Sequence, residues 1–206
     1  MRGARDERAT GMRDIVVIGG ALAGLKRLCR LIDQLPLSFQ APILAELHAL
    51  PAPSASPLDV LEACTSLPVA YGMEGMQPQK GRVYLAPGDR HLVVAAPGVL
   101  GVPAERGVRQ ASAAVDRLFA SAARVYGPRV IGVVLAGGDV DGMEGLRAIN
   151  AAGGIGVLEA TEHAFHPALV SKAGRSTQAR AHYCLPLDDI ADLLRQLIDG
   201  DHVPST

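Results

Sequence analysis

Tryptophan is absent from this chain of 206 residues, and only 3% of it is aromatic. Any core must therefore be built from Ala, Val, Leu and Ile, and with 49% of residues hydrophobic there are enough of them for a sizeable one. No apolar run approaches the roughly 20 residues that a membrane span needs, and Met1 to Asp14 is charged, without the apolar centre of a signal peptide. A surplus of charge is also missing. Twenty basic residues against 21 acidic ones leave a formal net charge of −1, which argues against a general binder of nucleic acid or membrane surface. The three cysteines are an odd number in no metal-binding spacing, a pattern suited to a reducing cytoplasm. The class that remains is a single α/β domain spanning 14–206, preceded by a mobile arm at 1–13.

The pattern that is present alternates strands and helices. Val16, Val17 and Ile18 form a short apolar strand that ends in a turn of small residues. Leu22, Leu25, Leu28, Cys29, Ile32 and Leu35 then recur at helical spacing, with Lys26, Arg27, Arg30 and Asp33 mostly on the other side. A second strand runs from Pro42 to His48. A helix over 58–66 and a strand over 68–71 follow. Arg82–Ala86 and His91–Ala95, separated by a Pro-Gly-Asp turn, are expected to pair as an antiparallel hairpin. Ser112 is the expected N-cap of a helix carrying Val115, Leu118, Phe119, Ala122 and Val125 on one face. Val130–Leu135 is a strand, Met143, Leu146 and Ile149 mark a helix, and Ile155–Leu158 is a strand. Residues 159–181 show no usable period, and a final helix covers 187–198. This order predicts a doubly wound, Rossmann-like α/β domain with a mostly parallel sheet flanked by helices and one small antiparallel hairpin.

In such a sheet the carboxyl ends of the strands gather on one edge, where ligands and catalytic groups sit. Three strand ends stand out: the turn at Ala21, His48, and the turn that carries Asp139 and Asp141. A nucleophile on the first, a histidine on the second and an aspartate on the third would make a hydrolase triad. Yet the first turn, Gly19-Gly-Ala-Leu-Ala-Gly24, holds no hydroxyl, thiol, amide or charged side chain.

The motifs along the chain resemble the CheB-type protein-glutamate methylesterase catalytic domain of bacterial chemoreceptor adaptation. That family's Ile-Gly-Ala-Ser-Thr-Gly-Gly turn corresponds to Ile18-Gly-Gly-Ala-Leu-Ala-Gly24, and its strand ending in Gln-His-Met-Pro to Pro42–His48. Its Val-Tyr-Ile-Ala-Pro-Gly-x-x-His signature is nearly intact as Val83-Tyr-Leu-Ala-Pro-Gly-Asp-Arg-His91. Its Gly-Val-Val-Leu-Thr-Gly-Met-Gly-x-Asp-Gly matches Gly132-Val-Val-Leu-Ala-Gly-Gly-Asp-Val-Asp-Gly142. The resemblance runs from Asp14 to Ile198. It implies that His48 stands at the general base and Asp141 at the orienting carboxylate, while Ala21 occupies the place of the serine. Leu22 replaces the threonine after that serine, and Gly138-Asp139 the Met-Gly pair before the aspartate. The Gly-Met-Pro near the family's C-terminus has no clear counterpart in Phe165-His-Pro-Ala168. Loss of a triad nucleophile costs about a millionfold in turnover, so the resemblance implies a pseudoenzyme of chemotaxis signal transduction that binds a chemoreceptor or another chemosensory protein. Members of that family usually carry an N-terminal phosphorylated receiver domain, and none is expected within this length. A weakly active hydrolase of methylated chemoreceptor glutamates is the alternative.

Other readings compete for the same residues. Gly19, Ala21 and Gly24 follow the spacing of the dinucleotide fingerprint, with Glu46 near the place of a ribose-binding carboxylate, so an FAD- or NAD-binding domain is a further alternative. His163 and His166, with Glu159, Glu162 and His182 in the same region, have the residue types of a metal cluster. They suit an ordinary polar surface segment as well, the reading adopted, so neither metal nor cofactor is expected. His91 is expected to be structural. Asp139 and Asp141 also suit caps of the helix that follows them, and His48 suits a partly buried partner of Asp141.

Overall fold

A computed structural model describes residues 13–21, 24–48, 56–88, 90–96, 98–103, 113–136, 141–160 and 181–199. The elements in chain order are β1 (Ile15–Ala21), α1 (Leu25–Asp33), β2 (Ile43–His48), α2 (Pro57–Cys64), β3 (Val69–Tyr71), β4 (Val83–Leu85), β5 (Val93–Ala96) and β6 (Val99–Gly101). Then come α3 (Ala114–Tyr126), one 3-10 turn (Gly127–Arg129), β7 (Val130–Val134), α4 (Met143–Ala151), β8 (Ile155–Glu159), β9 (Tyr183–Leu185) and α5 (Leu187–Asp199). Seven strands form one sheet in the order β3-β4-β2-β1-β7-β8-β9. Every pairing within it is parallel.

β1 is the middle of this sheet, and its residues show why. Ile15 to Ile18 are fully buried on both faces, as a central parallel strand requires. The alternation of the strand sends Val16 and Ile18 to one core, with Leu28, Leu31 and Ile32 of α1, Leu61 of α2 and Ile190 and Leu194 of α5. Ile15 and Val17 enter the other, with Val115, Leu118 and Phe119 of α3 and Leu146 and Ile149 of α4. Both cores are aliphatic except for a few rings such as Phe119 and Tyr84, in agreement with the composition. The chain leaves β1 in one direction through β2 and later returns to its other side with β7. The strand order thus reverses beside β1, and a doubly wound sheet opens a crevice at such a reversal.

Close approach at this point depends on glycine. A Cβ at Gly19 would overlap the Val115 side chain, so the last turn of β1 can meet α3 only without one. Gly142, at φ +97°, precedes α4 in a left-handed conformation, and a Cβ there would also press on Val115 and Val134.

The predicted architecture stands, with differences in detail. The antiparallel pair is β5 with β6, over 93–101, rather than 82–86 with 91–95. Val83–Leu85 pairs instead in parallel with both β2 and β3. Those three residues are wholly buried, and a hairpin arm would leave one of their faces uncovered. The β5–β6 pair lies on α3, where the Val94 N–H donates to the Ser121 hydroxyl at 3.0 Å and that hydroxyl donates to the Leu118 carbonyl. β9 extends the sheet from within a polar region in which three residues are too few to show a period. The 1–12 part of the expected arm, and Ser112, lie outside the described residues.

Candidate functional site

The carboxyl ends of β1, β2 and β7 meet at the strand-order reversal. Ala21 ends β1 and is in register with His48, which ends β2. Position 21 has the parity of Ile15, Val17 and Gly19, the residues of β1 that face α3, and position 48 has that of Leu44 and Glu46. On the other side of β1, the Leu135 N–H donates to the Gly19 carbonyl at 2.8 Å, which carries the end of β7 alongside the first turn. Ala21 and the backbone of His48 are therefore adjacent, as the spacing of motifs in the sequence requires. Leu22, Gly138, Asp139, His163 and His166, together with the His48 side chain, lie outside the described residues.

Asp141 occupies the start of α3. Its Oδ2 accepts from the Val115 N–H at 3.1 Å and its Oδ1 from the Asp116 N–H at 3.2 Å. These are donors of the first helical turn, which Ala113 at the N-cap position satisfies with no side chain. The carboxylate does cap a helix, but the expectation that it caps the one following it is corrected: it serves α3, some 25 residues earlier. α4 is capped in return by Asp116, whose Oδ1 accepts from the Gly145 N–H at 2.6 Å. Two helices starting side by side each lend a carboxylate to the other's exposed amides. Burial pushes the Asp141 pKa up and Asp116 adds repulsion, while the amides of Val115, Asp116 and Gly142 oppose the rise without cancelling it.

Glu46 is 4% exposed. Its Oε2 accepts from the Leu92 N–H at 3.0 Å, and its Oε1 is 3.5 Å from His91 Nδ1. Burial raises its pKa, with His91 and the Leu92 amide acting in the opposite direction and Asp141 adding a smaller repulsion. A carboxylate committed to Leu92 and His91 beneath the surface does not offer itself to a ribose, so the cofactor role considered for Glu46 fails on burial. His91 is buried in this pair, the structural place expected of it.

Glu159 ends β8 and is equally buried. Its Oε2 accepts from the Ala136 N–H at 2.8 Å, and its Oε1 pairs with Arg27 of α1. One carboxylate thus links the turn after β7 to the helix that begins after Ala21. His182 accepts the Gly156 N–H at its Nδ1, 3.1 Å away. Glu159 and His182 are each occupied within the sheet, and among the described residues no group of three or more His, Cys, Asp or Glu could hold a metal ion. Sequence reasoning missed this frame. Asp116 reads as an ordinary acidic residue in a first helical turn, and the Arg27–Glu159 pair joins residues 132 apart in the chain.

Residues 16–194 of the chain, which carry these strand ends, match a known family model described as CheB methylesterase. The chain belongs to the CheB methylesterase family. It is 36% identical over 204 residues to protein-glutamate methylesterase/protein-glutamine glutaminase 2 of Anaeromyxobacter dehalogenans, covering 96% of this chain and 58% of that protein. It is 32% identical to the Methanosarcina mazei protein of the same description, over 92% of this chain and 53% of that one. The crystal structure of the Thermotoga maritima CheB methylesterase catalytic domain superposes with a TM-score of 0.74 at 30% identity, covering 89% of this chain and 98% of that one. The chain spans a little over half the length of the two curated relatives and nearly all of the catalytic domain. CheB membership does not favour the dinucleotide-binding alternative. Among the described residues no helix is long and apolar enough to cross a membrane.

Proposed function

We propose that this CheB-family domain turns over methyl esters poorly or not at all, and that it acts by binding a chemoreceptor segment or another chemosensory protein. The observation that carries this reading is the identity of position 21. It lies at the end of β1, in register with His48, where the motif resemblance puts the family's serine, and it is alanine. A methyl side chain cannot attack an ester, and removal of a triad nucleophile leaves at most the acceleration supplied by binding and hydrogen-bond donors. The first turn offers no replacement, and Cys29 faces the core from α1.

The remaining frame supports a site that has lost its nucleophile rather than its shape. In this reading His48 keeps the place of the base and Asp141 that of its orienting carboxylate. The two amides held by Asp141 do not exhaust it, because a carboxylate has about four acceptor positions. Glu159 and the cap exchange between α3 and α4 hold the turns on which a polypeptide tail would rest.

The test is methyl release from a methylated chemoreceptor fragment, measured together with binding of that fragment. The parent chain is expected to bind without release, and Ala21→Ser to raise release on the order of a thousandfold with little change in affinity. Robust release by the parent would overturn the proposal in favour of a working hydrolase. Absence of binding by either protein would reject the receptor as partner.

A further inference from the structure

Cys29 and Cys64 take no part in the site, and they are brought together by two packed helices. Cys29 is on the buried face of α1, while Cys64 is the last residue of α2 and half-buried. The Cys29 sulfur is 3.9 Å from the Val60 carbonyl oxygen, one helical turn before Cys64. The Cys64 sulfur folds back to the Leu61 carbonyl at 3.4 Å, so both sulfurs lie against the final turn of α2. Cys29 belongs to the apolar layer that includes Leu61 and Ile32, and Cys64 packs against that layer. Two thiols gathered on one helical turn can approach the S–S bond length of about 2.05 Å by side-chain rotation, and α2 ends at Cys64, after which the chain is extended.

We propose that Cys29 and Cys64 are a thiol pair that closes to an intramolecular disulfide, joining α1 to α2, on reaction with a small-molecule disulfide. Cys64 is the more exposed partner and reacts first. Its thiolate attacks one sulfur of the oxidant RSSR, forming a protein–SR mixed disulfide and releasing RS⁻. Cys29 gives up its proton to solvent and attacks the Cys64 sulfur, releasing the second RS⁻. The protein thiols lose two electrons and two protons, and the oxidant becomes two RSH. The bond closes a loop containing all of β2, and it ties α1, which begins just after the Ala21 turn, to the helix beside it.

The surroundings set the speed. Burial, followed by the influence of the neighbouring Cys29 thiol and repulsion from Asp33 of α1, pushes the Cys64 thiol up to about 12. The thiol form dominates at neutral pH, so closure is slow there and accelerates roughly tenfold per pH unit from about pH 7 to about pH 10.

The intact chain is incubated with oxidised glutathione at about pH 9, quenched in acid, alkylated under denaturing conditions, and mapped by proteolysis and mass spectrometry. Cys184 is exposed and serves as the internal reference for reagent access. The expected result is a linked Cys29–Cys64 peptide lacking two hydrogens, a glutathione adduct on Cys184, and no linked peptide from Cys64→Ser. Either of two results overturns the proposal. One is Cys64 that stops at its glutathione adduct with Cys29 free. The other is both cysteines recovered fully alkylated while Cys184 has reacted. These outcomes are independent of methyl release and receptor binding, so they leave the proposed function to its own test.

Discussion

Glu46 shows how one residue can hold structure together and still be costly when ionised. Its carboxylate supports the Leu92 amide and faces His91, but burial raises its pKa above the unfolded-chain value. A folded state with the higher pKa binds the proton more tightly, so this group's contribution to stability is fully present below the unfolded pKa. It is lost as pH rises through the folded pKa. The neutral amide of Glu46→Gln can still accept from Leu92 and does not ionise. The variant should therefore gain stability relative to the parent as pH rises through that window, read as a growing difference in urea midpoints between acid and neutral pH. A constant difference would mean that Glu46 does not titrate differently on folding. Asp141 has the same sign of shift, though its two amide bonds make its removal costly at any pH.

Gly19 is a steric matter at the same scale. A methyl there meets the Val115 side chain, so Gly19→Ala should destabilise by about 1–3 kcal/mol through overpacking, measured by denaturant unfolding. Shortening the obstructing side chain with Val115→Ala should recover part of the loss. If the double variant is no better than the sum of the singles, the contact is not the cause.

Among elements, the exchange of caps between α3 and α4 is the feature most open to test. Neither helix has a side-chain cap of its own: Ala113 precedes α3 and Gly142 precedes α4. Asp116→Ala should cost about 1 kcal/mol, the ordinary value of a lost cap, and Asp141→Ala somewhat more because it releases two amides. Because Asp116 also gives its own amide to Asp141, the two losses should not be additive, and a double-mutant cycle would show coupling above about 0.5 kcal/mol. Additive losses would mean that the helices are held independently. Glu159 plays a related part between turns. Glu159→Ala leaves the Ala136 N–H and the Arg27 guanidinium without this partner, and a cost of about 1–3 kcal/mol is expected for the amide alone. Faster hydrogen exchange at Ala136 would locate the damage at the end of β7.

For the molecule as a whole, one sheet separates two aliphatic layers. Leu31 is buried with α1 on one side, and Phe119 with α3 on the other. Leu31→Ala should cost about 2–5 kcal/mol and Phe119→Ala about 3–5 kcal/mol. Because the sheet lies between the two sites, the double variant should lose the sum to within about 0.5 kcal/mol. A large departure from the sum would mean that strain passes through the sheet.

The alternation of β1, the helical spacing of Leu28 and Ile32 and the order of strand-end motifs are local patterns, and by themselves they determined the class of the fold, its family and the adjacency of positions 21 and 48. The chemistry missing from the first turn was equally plain, because a residue's identity requires no neighbours to be read. Only the tertiary structure decided that Val83–Leu85 enters the parallel sheet, that Asp141 serves α3 rather than the helix after it, and that Glu46, His91, Arg27 and Glu159 are bound within the frame. The physical reason is distance along the chain. A strand or helix shows its period within a few residues, whereas a buried carboxylate is satisfied by whichever amide or cation the fold delivers, here from 23 to 132 positions away.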